Sequence, residues 1–259
     1  MDKIILRPSS IDTFLQCPQQ WYRVFILGET SIPNSRAAIG TAIHAGVEQM
    51  WLDSMQAKTK VISMGSMADA AVEAFEEEEQ KDLQFDANED RNTCHKEILV
   101  GLDTYVEDIT PYVPVPTGVE QRFTVNITDH PIVEGISGQL DYVDEEVGVI
   151  SDLKTGKRKH NVANSSTQQS IYNYLAEENG VKVNVSTIQN VVLKAKPEGH
   201  IMDAQINKDK AKNIVNTLLD VLEVYNEDKV DPDMLFRGNP KYYLCSPKYC
   251  KFFEECKFS

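Results

Sequence analysis

Residues 138–159 read GQLDYVDEEVGVISDLKTGKRK. Two short apolar runs each carry an aspartate: Asp141 in the first, and Asp152 in the second, with Lys154 two residues further on. Charged groups in the middle of buried strands are costly unless something pairs with them. Two antiparallel strands joined by a turn around Glu145–Gly148, with Gly148 supplying turn freedom, would form a hairpin. Centred between Glu146 and Val147, such a hairpin pairs residues whose numbers sum to 293, and Asp141 and Asp152 meet that sum. Their Cβ atoms would lie about 5 Å apart. The two-residue strand period puts Lys154 on the face of Asp152. Carboxylates this close repel unless one is protonated or a cation lies between them. Mg²⁺ or Mn²⁺ accepts such oxygen ligands, activates water and polarises a phosphoryl oxygen. The lysine can hold the attacking water or offset charge growing on a phosphate. The same short pattern also arises in a surface hairpin with a Lys–Asp ion pair and solvated carboxylates.

The chain of 259 residues suffices for one large domain or two small ones with a real core. No apolar run approaches the roughly 20 residues that span a bilayer. The start, MDKIILRPSS, lacks the features of a signal peptide. These features predict a cytoplasmic, reducing setting without a membrane partner. The net charge of −14 opposes binding to nucleic-acid phosphates. Ten acidic residues against one lysine fall between Asp69 and Asp90, however, and basic residues cluster elsewhere, at Lys154, Lys157, Arg158 and Lys159 and at Lys194 and Lys196. Overall charge does not decide what a local groove binds. Of five cysteines, Cys245, Cys250 and Cys256 fall within twelve residues. In a reducing compartment such clustering points to metal more than to disulfides.

The apolar spacing predicts a helix over 9–27, capped at Ser9 or Ser10, with Ile11, Phe14 and Leu15 on its stripe and Trp21, Tyr22 and Phe25 as an aromatic patch. SIPNSR reads as a loop, and 37–55 as a helix facing inward through Ile39, Ile43, Val47, Met50 and Trp51. Residues 56–110 read as helical and mostly solvated, with amphipathic pieces at 66–80 and 90–108. PYVPVPTG then breaks the pattern. Strands follow between Gly118 and Lys154, a helix at 167–179, one or two strands in VNVSTIQNVVLKA, and a helix at 207–228 with Ile214, Leu218, Leu222 and Tyr225 on one face.

The hairpin resembles the active-site hairpin of the PD-(D/E)xK nuclease superfamily, in its RecB-like and Cas4-like exonuclease branch: G-x-(I/L)-D, a turn, then (V/I)-x-D-x-K-T-G. IGTAIHAGVEQM resembles that branch's G-T-x-x-H helix, which implies His44 as a metal ligand, with Gly40 leaving space one turn earlier. QQSIYNYLA resembles its Q-x-x-x-Y helix, which implies that Gln168 and Tyr172 position DNA or support the lysine. Cys17 with Cys245, Cys250 and Cys256 resembles the iron–sulfur clasp of Cas4-like and AddB-like nucleases. The spacing C-x(4)-C-x(5)-C departs from the commoner C-x(2)-C-x(5)-C, and four thiolates suit either a [4Fe–4S] cluster or zinc. Cys94 has no place in that set and is expected to be a plain thiol.

The resemblance implies one α/β domain over residues 1–259. Its restriction-endonuclease-like core would have a mixed central sheet at about 118–195 flanked by helices. Residues 56–110 would be a variable helical region, and the metal cluster would join the N-terminal helices to the C-terminal tail. It further implies metal-dependent phosphodiester hydrolysis at single-stranded DNA or DNA ends, in recombination, repair or phage DNA processing, inside a host cytoplasm if phage-encoded. His44, Asp141, Asp152 and the Leu153 carbonyl would hold Mg²⁺ or Mn²⁺. Lys154 would orient water, Glu120 would assist the metal, and Lys157, Arg158 and Lys159 would contact phosphates. Helicase or recombination proteins are the implied partners. The alternatives are an inactive DNA- or partner-binding module of the same fold and a Cas4-like subunit of a spacer-acquisition complex.

Overall fold

The computed structural model describes residues 3–30, 34–87, 89–227 and 229–259. Ser31–Pro33, in the expected loop, and Asp228, the last residue of the helix expected over 207–228, lie outside them. Helices α1 (Pro8–Gln16), α2 (Pro18–Phe25), α3 (Ser35–Ala57), α4 (Met64–Glu79) and α5 (Arg91–Asp108) precede most of the sheet, and α6 (Ser166–Glu178), α7 (Lys208–Asn226) and the single turn α8 (Pro232–Leu235) follow its strands. None of the described helices is long and apolar enough to cross a membrane.

The expected helix over 9–27 is two helices. The residue before a proline is pushed out of the helical region; Cys17 is extended (φ −154°, ψ 97°), and Pro18 opens α2. Asn34 caps α3 by accepting the Ala37 N–H. Residues 56–110 are less solvated than their charge suggests. Met67, Ala71, Phe75, Cys94, Ile98, Leu102 and Tyr105 are buried there, while the acidic run covers the outer face.

Among the described residues, six strands form one mixed sheet. Its axis is β3 (Val133–Asp144), paired along one edge with antiparallel β2 (Gly118–Asn126). The other edge of β3 is shared. Strand β1 (Ile4–Leu6) runs parallel to Val133–Ile136, and β4 (Val149–Gly156) runs antiparallel to Tyr142–Asp144. Strand β5 (Val185–Val192) lies parallel to β4, and β6 (Glu198–Asp203) closes the sheet antiparallel to β5. Both β1 and β6 lie outside the expected sheet; three residues leave no readable alternation, and β6 alternates only weakly against solvent.

Helices α1, α2, α6 and α7 cover one face, burying Ile11, Phe14, Trp21, Ile171, Leu175, Leu218 and Leu222 with Phe123, Ile136 and Leu140 of the sheet. Helices α3, α4 and α5 cover the other, burying Ile39, Ile43, Trp51, Phe75 and Leu102 with Tyr142, Leu153 and Val191. The result is a three-layer restriction-endonuclease-like arrangement. Aromatic packing already joins the two ends of the chain. Phe236 stacks on Tyr22 (4.7 Å between centroids) and Trp21 (5.9 Å), and Arg23 lies over Phe252 and 2.8 Å from Glu255.

Candidate active site

The hairpin register is the expected one, but its ladder stops early. Tyr142↔Ser151, Val143↔Ile150 and Asp144↔Val149 pair, and Asp141 and Asp152 lie just past the last pair. The turn is held by Asp144, whose Oδ1 accepts the Glu146 and Val147 N–H groups (3.1 and 3.3 Å). Beyond Tyr142 the strands part. The Leu153 N–H donates to Asp141 Oδ2 at 2.6 Å, so a carboxylate takes the place of the strand backbone. On this edge of β3, residues 137–141 pair with neither β1 nor β4, and the site opens in that gap.

On the opposite edge the β2–β3 ladder is interrupted at the same level. Val119↔Tyr142 and Gln121↔Leu140 pair, while between them Glu120 has left-handed backbone (φ +47°). Leu140 and Tyr142, which regular alternation would put on one face, lie in opposite cores. This local inversion brings Glu120 and Asp141 to the level of His44, which α3 carries on the Tyr142 side.

His44 Nδ1 lies 3.6 Å from Asp141 Oδ1. Among the described residues, His44, Glu120 and Asp141 form a set whose donor atoms all lie within 4.8 Å of one another. Gly40, Thr41 and Glu48 line the same open hollow. Gly40 lets α3 approach β4 closely: a Cβ there would sit 2.9 Å from Thr155 Oγ1.

Lys154 extends to the α6 side. Its Nζ lies 2.8 Å from Asp152 Oδ2 and donates to Gln168 Oε1 at 3.0 Å, and Gln168 Nε2 in turn donates to the Tyr172 hydroxyl at 3.2 Å. Gly138 permits this closeness, since a Cβ there would meet Tyr172 and Leu175 under 3.0 Å. Asp152 is 5% exposed, and its Oδ2 has no aligned hydrogen bond despite the nearby ammonium. The hairpin symmetry and the resemblance predict Asp152 beside Asp141 and His44. In the structure Glu120 lies within 4.8 Å of both, and Asp152 pairs with Lys154.

The electrostatics follow from burial in a crowd of charge. Burial alone would raise Asp141, but His44, the Leu153 N–H and Lys154 together hold it below the usual carboxylate range. Asp152 is pushed up by burial and by Asp141, against the pull of Lys154. Burial, then Asp141, lifts Glu120 to about 7. Burial opposes the charged forms of His44 and Lys154, yet Asp141 holds the imidazole, and Asp152 the ammonium, above their ordinary values.

Asp12, Glu48 and Gln139 were not read from the sequence. Burial raises Asp12 of α1 to about 6 beside Lys154 and Asp152. Its one signal was a carboxylate next to the apolar stripe. Glu48 stands one turn after His44, a spacing visible in the sequence. Gln139 precedes Leu140-Asp141 and carries no sequence signal of its own. Of the basic residues, Lys157 lies 3.7 Å from Glu89 and Lys194 pairs with Glu198 at 2.6 Å, while Arg158 and Lys159 are exposed. Their loop is tied to the sheet by Asn190, which accepts the His160 N–H (2.8 Å) and donates to the Lys154 carbonyl (2.9 Å). Cys17, Cys245, Cys250 and Cys256 line one hollow between α2 and the C-terminal tail. Cys94 is fully buried in the α3–α5 core, away from that hollow.

A split hairpin presenting Asp-x-Lys opposite a helix-borne histidine defines a class of nuclease fold. The chain belongs to the PD-(D/E)XK nuclease superfamily, whose family model matches residues 6–257. A solved structure from Eubacterium rectale, described as a "Putative exonuclease", is similar in fold at 12% identity, with a TM-score of 0.53 over 97% of this chain and 87% of that one. A second, SSO0001, aligns over 96% of each chain at 12% identity with a TM-score of 0.39. No curated protein matches the sequence.

Proposed function

We propose that this nuclease is a metal-dependent deoxyribonuclease that hydrolyses phosphodiester bonds at DNA ends. The observation that carries the reading is the split hairpin, with His44, Glu120 and Asp141 within 4.8 Å on one side and the Asp152–Lys154 pair on the other. The fit to a hard cation rests on the donors. Three donor atoms converge, and the buried Asp152 carboxylate adds oxygen donors, one of them already paired with the Lys154 ammonium at 2.8 Å. The Leu153 carbonyl adds a third kind of donor, since a strand residue points its N–H and C=O toward the same neighbour and this N–H faces Asp141. His44, Glu120, Asp141, Asp152 and the Leu153 carbonyl would hold Mg²⁺ or Mn²⁺. When bound, the ion supplies Lewis acidity and lowers the pKa of water.

The chain's own groups do the rest. Asp152 and Gln168 fix the Lys154 ammonium beside the reacting position, where it orients water and offsets charge on the phosphate. Tyr172 holds the far end of the Gln168 amide. Arg158 and Lys159, exposed just past β4, contact flanking phosphates and localise affinity in an otherwise acidic chain.

The four cysteines are read as ligands of a [4Fe–4S] cluster. Four thiolates around one hollow suit such a cluster, with a single zinc as the alternative. The cluster would close α2 onto the tail as a structural clasp.

The test is cleavage by anaerobically purified protein, with Mg²⁺ or Mn²⁺, of linear end-labelled DNA, single- and double-stranded, against closed circles. The reading expects loss of label from linear DNA, intact circles and no reaction by Lys154→Ala. Cleavage of circles at the same rate would overturn the end-directed part. Equal cleavage by the variant would overturn the mechanism.

A further inference from the structure

Glu120 poses a physical question. It is a non-glycine residue with φ +47° inside a strand, where the left-handed region is unfavourable for a residue with a Cβ, and such strain persists only where the surroundings impose it. Its side chain is held from β3. Gln139 Nε2 donates to Glu120 Oε2 at 2.7 Å, and Gln139 Oε1 accepts from Arg122 Nη2 at 2.8 Å. A carboxamide presents either its oxygen or its nitrogen to a neighbour. Arg122 takes the oxygen, which leaves the nitrogen for Glu120; a flipped amide would set oxygen against a carboxylate and nitrogen against a cation. Arg122 and Gln139 are direct cross-strand partners, so the relay is built into the register that the inverted Glu120 interrupts.

We propose that Gln139, oriented by Arg122, is a positioning residue that holds the Glu120 carboxylate in the His44–Asp141 group and so sets the affinity of this site for a divalent cation. This rests on the reading of that group as the metal centre. Gln139 and Arg122 are solvent-exposed and lie outside both cores, so the relay does little for folding and acts through Glu120. Groups one step behind metal ligands tune affinity when they fix ligand orientation.

The experiment is Mn²⁺ titration by calorimetry on the full chain, with melting temperature measured in chelator and in Mn²⁺. Gln139→Leu is expected to bind Mn²⁺ about tenfold more weakly while melting like wild type in chelator. Its DNA cleavage should recover at high Mn²⁺. Arg122→Ala should show a smaller loss of the same kind, and Gln139→Glu, which faces Glu120 with a second carboxylate, a larger one. Glu120→Gly separates strain from ligation. Glycine accepts φ +47° without penalty, so this variant should melt at or above wild type in chelator and lose most of the rise that Mn²⁺ gives. Unchanged Mn²⁺ affinity in Gln139→Leu, or a lower melting temperature in chelator with unchanged affinity, would overturn the relay and leave the nuclease reading standing. Absence of Mn²⁺ binding by wild type would overturn the metal centre, and the relay with it.

Discussion

Replacing Lys154 by methionine keeps the apolar stem and removes only the ammonium. The structure makes that loss expensive. Nζ lies 2.8 Å from Asp152 Oδ2, and the two side chains are 27% and 8% exposed. At an effective dielectric near 20, a pair at this distance attracts by about 6 kcal/mol. Part of this is returned because the burial cost of the ammonium disappears with it. Removing one partner of a buried pair typically costs 3–5 kcal/mol; with Lys154 partly exposed, about 3 kcal/mol is expected. For a chain of this size that is a fall in melting temperature of about 6–12 °C. Asp152 already titrates above the ordinary carboxylate value, because of burial and Asp141, and loses its main counter-charge in the variant. A carboxylate with a raised folded pKa costs stability when ionised, and the cost fades as pH falls through that pKa. The deficit of Lys154→Met should therefore be largest near about pH 8 and shrink toward about pH 5. Thermal unfolding in chelator at both pH values measures it. A deficit under 1 kcal/mol, or one equal at the two pH values, would refute the charge account of this pair.

His44 predicts a second pH effect. Its folded pKa is raised by Asp141, so its stabilisation is present below the ordinary value of 6.5 and lost as pH rises through the folded value. Metal-free protein should lose stability on moving upward from 6.5, and His44→Gln should flatten that slope in a denaturant series. Gly40→Ala should cost about 1 kcal/mol by overpacking against Thr155, and Thr155→Ala should restore the melting temperature; independent, additive losses would contradict the close approach of α3 to β4. Cys250→Ser should bleach the brown colour and lower the melting temperature of anaerobically purified protein. A colourless wild type carrying zinc would refute the cluster.

The parts of the site legible in the sequence are those set by local rules. The symmetry of residues 138–159 gave the hairpin register because strand pairing has a fixed period, and α3 was readable because its apolar stripe repeats at helical spacing. What escaped depends on partners remote in sequence. Strand β1 has three residues and exists because Val133–Ile136 offers an edge. The burial of α4 and α5 was hidden because their charge lies on the outer face. The resemblance pointed to Glu120 only as an auxiliary group; its approach to His44 and Asp141 arises from a left-handed residue that inverts strand alternation, and nothing in VEQRF marks that inversion. Asp152 leans toward Lys154 because the two are i,i+2 neighbours on one face of β4.

The most direct measurement is the release of label from linear DNA by anaerobically purified protein with Mn²⁺, beside Asp141→Asn. Asp141 touches His44 and the Leu153 N–H and lies at the centre of the site. The account predicts cleavage that stops in chelator and falls at least about a hundredfold in the variant. Cleavage that persists in chelator, or that survives Asp141→Asn at the wild-type rate, would contradict it.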